Sequence, residues 1–162
     1  MRDDKQPSAA SEQDLEDMVA SSDSGARKPV GVPGTLLVSI AAIWSLFQLW
    51  IASPLPYLFR FGVFSATEAR SIHLAFALFL AFMAYPALKR SPRDRIPLQD
   101  WAFAAVATFC GAYLFLFYSD LAQRPGRPIT QDIVIGVIGI IMLLEATRRA
   151  LGPPLMVVAA VF

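Results

Sequence analysis

His73 is the one histidine of the chain and Cys110 its one cysteine. A lone imidazole cannot supply paired axial ligands to a haem or build a zinc site by itself, and a single thiol excludes an intramolecular disulfide or a thiolate metal cluster within the chain. His73 is therefore read as a polar anchor at a helix end or a hydrogen bond between helices, one turn beyond Glu68 and Arg70. Asp100 and Asp132 stand where helices are expected to begin, so capping at the positive end of a helix dipole is favoured over ion binding. Asp120 and Asp132 bracket the same loop. The chain has no Gly-rich phosphate loop, no HExxH and no nucleophile placed beside a base. Neither catalysis nor a resident cofactor or metal is expected.

The charged group with the most informative spacing is "LLEATRRALGPP", Leu143 to Pro154. On a helix, Glu145 faces Arg148 at i+3 and Arg149 at i+4, in the favoured acid-first order. Both arginines fall in a last turn, where they oppose the helix dipole and can snorkel to lipid headgroups, and Gly152 with Pro153 and Pro154 supplies a stop. This is the pattern of a membrane exit.

The elements that must position these residues are apolar. Hydrophobic residues make up 56% of the chain and charged ones only 17%, which is too greasy and too charge-poor for a soluble domain of this length. The net charge of +1, without a dense basic block, gives nucleic-acid binding no support. Leu36 to Ala52, Ile72 to Leu88 and Trp101 to Tyr118 carry no Asp, Glu, Lys or Arg. Each is about 17 to 18 residues, near the lower limit for a helix crossing a hydrocarbon core of about 30 Å. The run Ile133 to Leu144 is too short alone, but continued to Leu151 it reaches about 28 Å. Leu155 to Phe162 then read as the opening turns of a fifth membrane helix. The sequence is thus expected to be the N-terminal piece of a longer membrane protein.

Residues 1–34 hold four basic and seven acidic residues among Ser, Ala and Gly, and are expected to form a disordered cytoplasmic tail. A short helix over Ser11 to Ala20 is an alternative within it. Residues 35–151 form the predicted four-helix membrane domain and residues 152–162 the beginning of a further one. The fold class is accordingly all-α, an integral membrane four-helix bundle.

Basic residues near the runs fall unevenly. Arg27, Lys28, Lys89, Arg90, Arg93, Arg95, Arg148 and Arg149 lie on one side, and Arg60, Arg70, Arg124 and Arg127 on the other. The positive-inside rule places the first group, and with it the N-terminus, in the cytoplasm. Trp50, Trp101, Tyr57, Tyr85 and Tyr118 lie near the predicted span ends, as interfacial aromatics do. Small residues mark helix faces: Ala104, Ala107, Thr108 and Gly111 in the third run, Gly136 and Gly139 in the fourth. Such faces favour close helix packing over a bound lipid or ligand. No run has an acid or base near its middle, where proton relays and ion sites are expected.

At "RSIHLAFALFLAFMAYP" (Arg70 to Pro86) and "DIVIGVIGIIMLLEATRRALGPPLMVVAAVF" (Asp132 to Phe162) the chain resembles the N-terminal region of TRAP transporter permeases, of the fused type associated with TAXI binding proteins. The resemblance implies a sodium-driven secondary uptake system in the bacterial inner membrane, fed by a periplasmic solute-binding protein. It also implies that this portion is a scaffold beside a large permease domain of the same polypeptide, with membrane lipid around it. Lacking the hairpins and broken helices of a transport site, the portion alone is not expected to transport. The rival is a self-contained four-helix membrane structural or assembly protein.

Overall fold

The structure, a computed structural model, describes residues 26, 27, 29, 31–87 and 96–161, and all of its regular elements among those residues are helices. The possible helix over Ser11 to Ala20 and the basic residues 89–95 lie outside the described residues.

Helix α1 (Val32–Ala52) opens with Pro33 in its first turn, where a missing N–H costs nothing. It stops at Ser53, whose N–H reaches back to the Leu49 carbonyl, and Pro54 and Pro56 prevent continuation. A single helical turn follows, α2 (Leu55–Phe59). Helix α3 (Ala66–Ala84) starts at a capping box: the Ser65 hydroxyl accepts from the Glu68 N–H at 3.2 Å while the Glu68 carboxylate accepts from the Ser65 N–H at 2.7 Å. Helix α4 (Leu98–Leu116) follows Pro97 and is continued, after Phe117, by the short α5 (Tyr118–Ala122). Helix α6 (Thr130–Leu151) ends at Gly152, which takes φ 90°, and α7 (Pro153–Val161) departs from there. That break falls where the Gly-Pro-Pro sequence predicts it.

Of the three charge-free runs expected to cross a membrane, two fall in helices long and apolar enough to do so, α1 and α3. The third lies in α4, whose first turn takes in the polar Gln99 and Asp100. The fourth lies in α6, which does run on to Leu151 and so carries Asp132, Glu145, Arg148 and Arg149. The first helix also begins at Val32, inside the stretch 1–34 assigned to a tail.

Helices α3 and α4 make the most extensive contact, and α6 packs across both. Leu78, Phe82, Met83, Ala104, Ala107 and Ala146 form the buried core. The close approach has a specific cause. A Cβ added to Gly111 would lie 3.0 Å from both the backbone nitrogen and Cα of Ala75, so only glycine lets these two backbones meet. The Ser71 hydroxyl reinforces the contact, donating to the Gly111 carbonyl at 2.6 Å and accepting from the Phe115 N–H at 3.1 Å. Helix α1, by contrast, has no buried residue and packs against α3 through one face.

Candidate functional site

The strongest concentration of chemistry is a buried ionic cluster at one end of the bundle. Arg27, in the segment before α1, sends its guanidinium to the Asp100 carboxylate, and its backbone N–H donates to the Ala84 carbonyl at 2.7 Å. The other Asp100 oxygen accepts from Arg149 at 2.8 Å. The Arg27 and Arg149 side chains are 0% and 1% exposed and that of Asp100 is 3% exposed, so this triad has been taken out of solvent almost completely. Arg149 also donates to Glu145 at 2.8 Å, and its guanidinium lies 4.7 Å from the Phe82 ring centre and 5.5 Å from that of Phe103. Arg148 grips Glu145 with two N–H groups at 2.7 Å each and donates to the Ala87 carbonyl at 3.0 Å.

The cluster therefore joins four parts of the chain: the pre-α1 segment, the end of α3, the first turn of α4 and the last turn of α6. Among the described residues it brings together three arginines and two acids. Chemically this is a clamp, with every carboxylate engaged by guanidinium and no nucleophile among its members.

The predicted pairing of Glu145 with Arg148 and Arg149 is present. The part of Asp100 differs from the expectation. It makes no capping bond; the N-cap of its helix is Pro97, and its carboxylate is drawn inward by the two arginines. Neither Arg27 nor the partner role of Asp100 was legible from spacing, because residues 27, 100 and 149 meet only through the fold.

A second polar site closes the opposite end. Asp132 accepts from the Ile129 N–H at 3.0 Å, as a residue capping the start of α6 should. It also takes the Tyr113 hydroxyl and two N–H groups of Arg124 at 2.7 and 3.2 Å. Asp132 lies ahead of the apolar run Ile133 to Leu144. Asp120 is exposed.

His73 joins two helices. Its Nδ1 accepts from the Trp44 indole N–H at 2.8 Å, which places the imidazole proton on Nε2, and Phe47 meets the ring edge-on at 5.2 Å between centres. Of its two expected roles the helix-to-helix hydrogen bond is the one observed; Trp44 had no sequence signal. Arg70 is exposed on the outer turn of α3.

The small-residue faces divide. Ala104, Ala107 and Gly111 are buried against α3, while Thr108, whose hydroxyl bonds to the Ala104 carbonyl, sits at the rim. Gly136 corrects the expectation of close packing, whereas Gly139 does face the neighbouring helix α4. A Cβ on Gly136 would meet nothing within 4 Å, and one on Gly139 only the Cys110 Cβ at 3.4 Å. Both line an apolar cleft of about 290 Å³, together with Leu74, Leu78 and Leu114. Among the described residues, no three of His, Cys, Asp and Glu converge as metal ligands would. Comparisons with protein-family models, with curated proteins and with solved structures find no match to the chain.

Proposed function

We propose that this chain is the membrane scaffold portion of a TRAP-type secondary transporter permease, crossing the bacterial inner membrane four times through α1, α3, α4 and α6. The observation that carries the membrane part is the sorting of charge. Arg27, Asp100, Glu145, Arg148 and Arg149 gather at one end, Arg124 and Asp132 at the other, and the intervening stretches of the four helices carry apolar side chains on their outer faces. Charged groups at helix ends and none at mid-depth is the distribution a bilayer enforces. The meeting of Arg27 with Arg149 at one end also supports the topology in which the N-terminal segment and the end of α6 share the cytoplasmic side.

The transporter part rests on the Arg70-to-Pro86 and Asp132-to-Phe162 resemblances. A scaffold must hold its shape while another domain moves against it, and the arrangement suits that role: a glycine-mediated contact between α3 and α4, with an ionic clamp at each end. The clamps add directional bonds where helix ends would otherwise fray. Substrate and sodium sites belong, on this proposal, to the large permease domain.

The test is sodium-dependent uptake of a candidate organic solute by the full reading frame reconstituted with its binding protein. Uptake that needs the sodium gradient and the binding protein, but no ATP, supports the proposal. A well-assembled complex that moves no solute under a sodium gradient refutes it.

A further inference from the structure

Resting on the membrane topology proposed above, we infer that residues 55–63, between α1 and α3, form a fixed in-plane anchor in the headgroup-to-acyl boundary of the leaflet opposite the ionic cluster. Its partner is phospholipid. The turn exposes six large apolar side chains: Leu55 40%, Tyr57 72%, Leu58 71%, Phe59 67%, Phe61 74% and Val63 51%. A mobile loop could fold such groups away, but this one is held open. The Trp50 indole donates to the Gly62 carbonyl at 3.3 Å and stacks on Phe59, with 15° between the rings. Pro56 is buried beneath the turn, and Phe64 is wedged between Phe47 and Phe115 at ring-centre distances of 5.9 and 5.8 Å. Arg60 and Gly62 adopt left-handed conformations, φ 51° and 63°, that fix the reversal of the chain.

The occupant follows from position and chemistry. Ser53 directly follows the last residue of α1, and the Trp50 bond ties Gly62 to that same helix end. The turn therefore cannot leave the level at which α1 emerges. Aromatic rings with a single arginine among them match that level, since the rings favour the boundary and exposed Arg60 can reach phosphate.

The experiment places a nitroxide at Leu58→Cys, Phe61→Cys or, as a mid-α1 reference, Ile43→Cys, each in a Cys110→Ser background reconstituted in phosphatidylcholine vesicles. Leu58 and Phe61 are more than two-thirds exposed, so neither substitution removes a packing contact. Collision rates with oxygen and with a water-soluble nickel chelate report depth. At Leu58 and Phe61 oxygen collisions should exceed chelate collisions, at a depth shallower than that of Ile43. Water-like chelate access at both turn positions, with Ile43 rich in oxygen, overturns the anchor while leaving the membrane topology standing. Exclusion of both reagents from the turn also overturns it, in favour of a covering protein. Chelate access at Ile43 itself refutes the topology and the anchor together.

Discussion

Replacing Asp100 with Asn tests the ionic clamp at its centre. The carboxylate neutralises two guanidinium groups whose side chains are 0% and 1% exposed. Removing one partner of a buried pair costs about 3–5 kcal/mol, most of it the penalty of a buried charge left unpaired. Arg149 has reserves: it keeps Glu145 at 2.8 Å and the faces of Phe82 and Phe103. Arg27 meets Asp100 with a side chain that is 0% exposed and also donates to the Met83 carbonyl at 3.5 Å. The loss should fall on the contacts that Asp100 makes itself, between the Arg27 segment, the first turn of α4 and Arg149, at about 3 kcal/mol, the lower end of that range. Glu145→Gln should cost less, about 1 kcal/mol, because its side chain is 28% exposed and solvent screens its pairs.

Cys110 provides the assay. It is the one thiol, it lies between α4 and α6, and its labelling by a thiol-reactive fluorophore during a denaturant titration reports opening of the bundle. The expected order of stability is parent, then Glu145→Gln, then Asp100→Asn. The decisive variant is Arg27→Gln combined with Asp100→Asn. If the penalty comes from an uncompensated charge, removing Arg27 as well should recover part of it, giving a coupling of about 0.5–3 kcal/mol. An Asp100→Asn variant within about 0.5 kcal/mol of the parent, the scatter expected for an unremarkable surface change, would refute the reasoning, as would strict additivity in the double variant.

Gly111→Ala should destabilise the bundle by about 1–3 kcal/mol through overpacking against the Ala75 backbone, whereas Gly136→Ala should be neutral or stabilising by up to about 1 kcal/mol because its Cβ enters open space; the same Cys110 titration measures both. His73→Gln retains an acceptor for the Trp44 indole and should change little, while His73→Leu orphans that N–H at a cost of about 1–3 kcal/mol; equal effects would separate His73 from its hydrogen bond. Asp132→Asn should weaken the Arg124 and Ile129 contacts at the start of α6 and cost about 1–3 kcal/mol in the same titration; no change would detach that cluster from the stability of the bundle. Replacing Arg148 and Arg149 together with Glu should invert or disorder the end of α6 in cells, read by accessibility of a cysteine placed after Gly152; unchanged labelling would contradict the assigned orientation.

The helices were legible in sequence because their signals are local. The pairing of Glu145 with Arg148 and Arg149 follows from helical spacing, and the Gly-Pro-Pro stop from backbone chemistry, so both are present where expected. Gly111 was also legible, since a small-residue face invites a close neighbour. Gly136 shows the limit of that inference: an identical signal opens on a cleft, because whether a backbone approaches depends on the side chains of the facing helix. Arg27 shows another. In composition it belongs to an acidic stretch rich in Ser, Ala and Gly, and its burial beside Asp100 and the end of α3 arises from contacts far apart in sequence. The Trp44–His73 contact likewise links positions whose spacing carries no periodic signal.

The two clamps differ in a way that bears on the scaffold proposal. At the Asp132 end the partners lie within one loop and its flanking helices, residues 113 to 132, so the bonds rigidify the α4–α6 connection. At the Asp100 end they span residues 27 to 149 and join the segment before α1 to α4 and α6. Local hydrogen bonds can form as their own segment folds, but the Arg27–Asp100–Arg149 triad requires α3, α4 and α6 already assembled, since the Arg27 backbone rests on the last turn of α3 and Arg149 on Phe82. A partial separation that leaves one of these charges buried without its partner is costly, whereas full opening returns all of them to water. A domain that must stay fixed while its neighbour moves gains from that arrangement, for separation becomes cooperative rather than gradual.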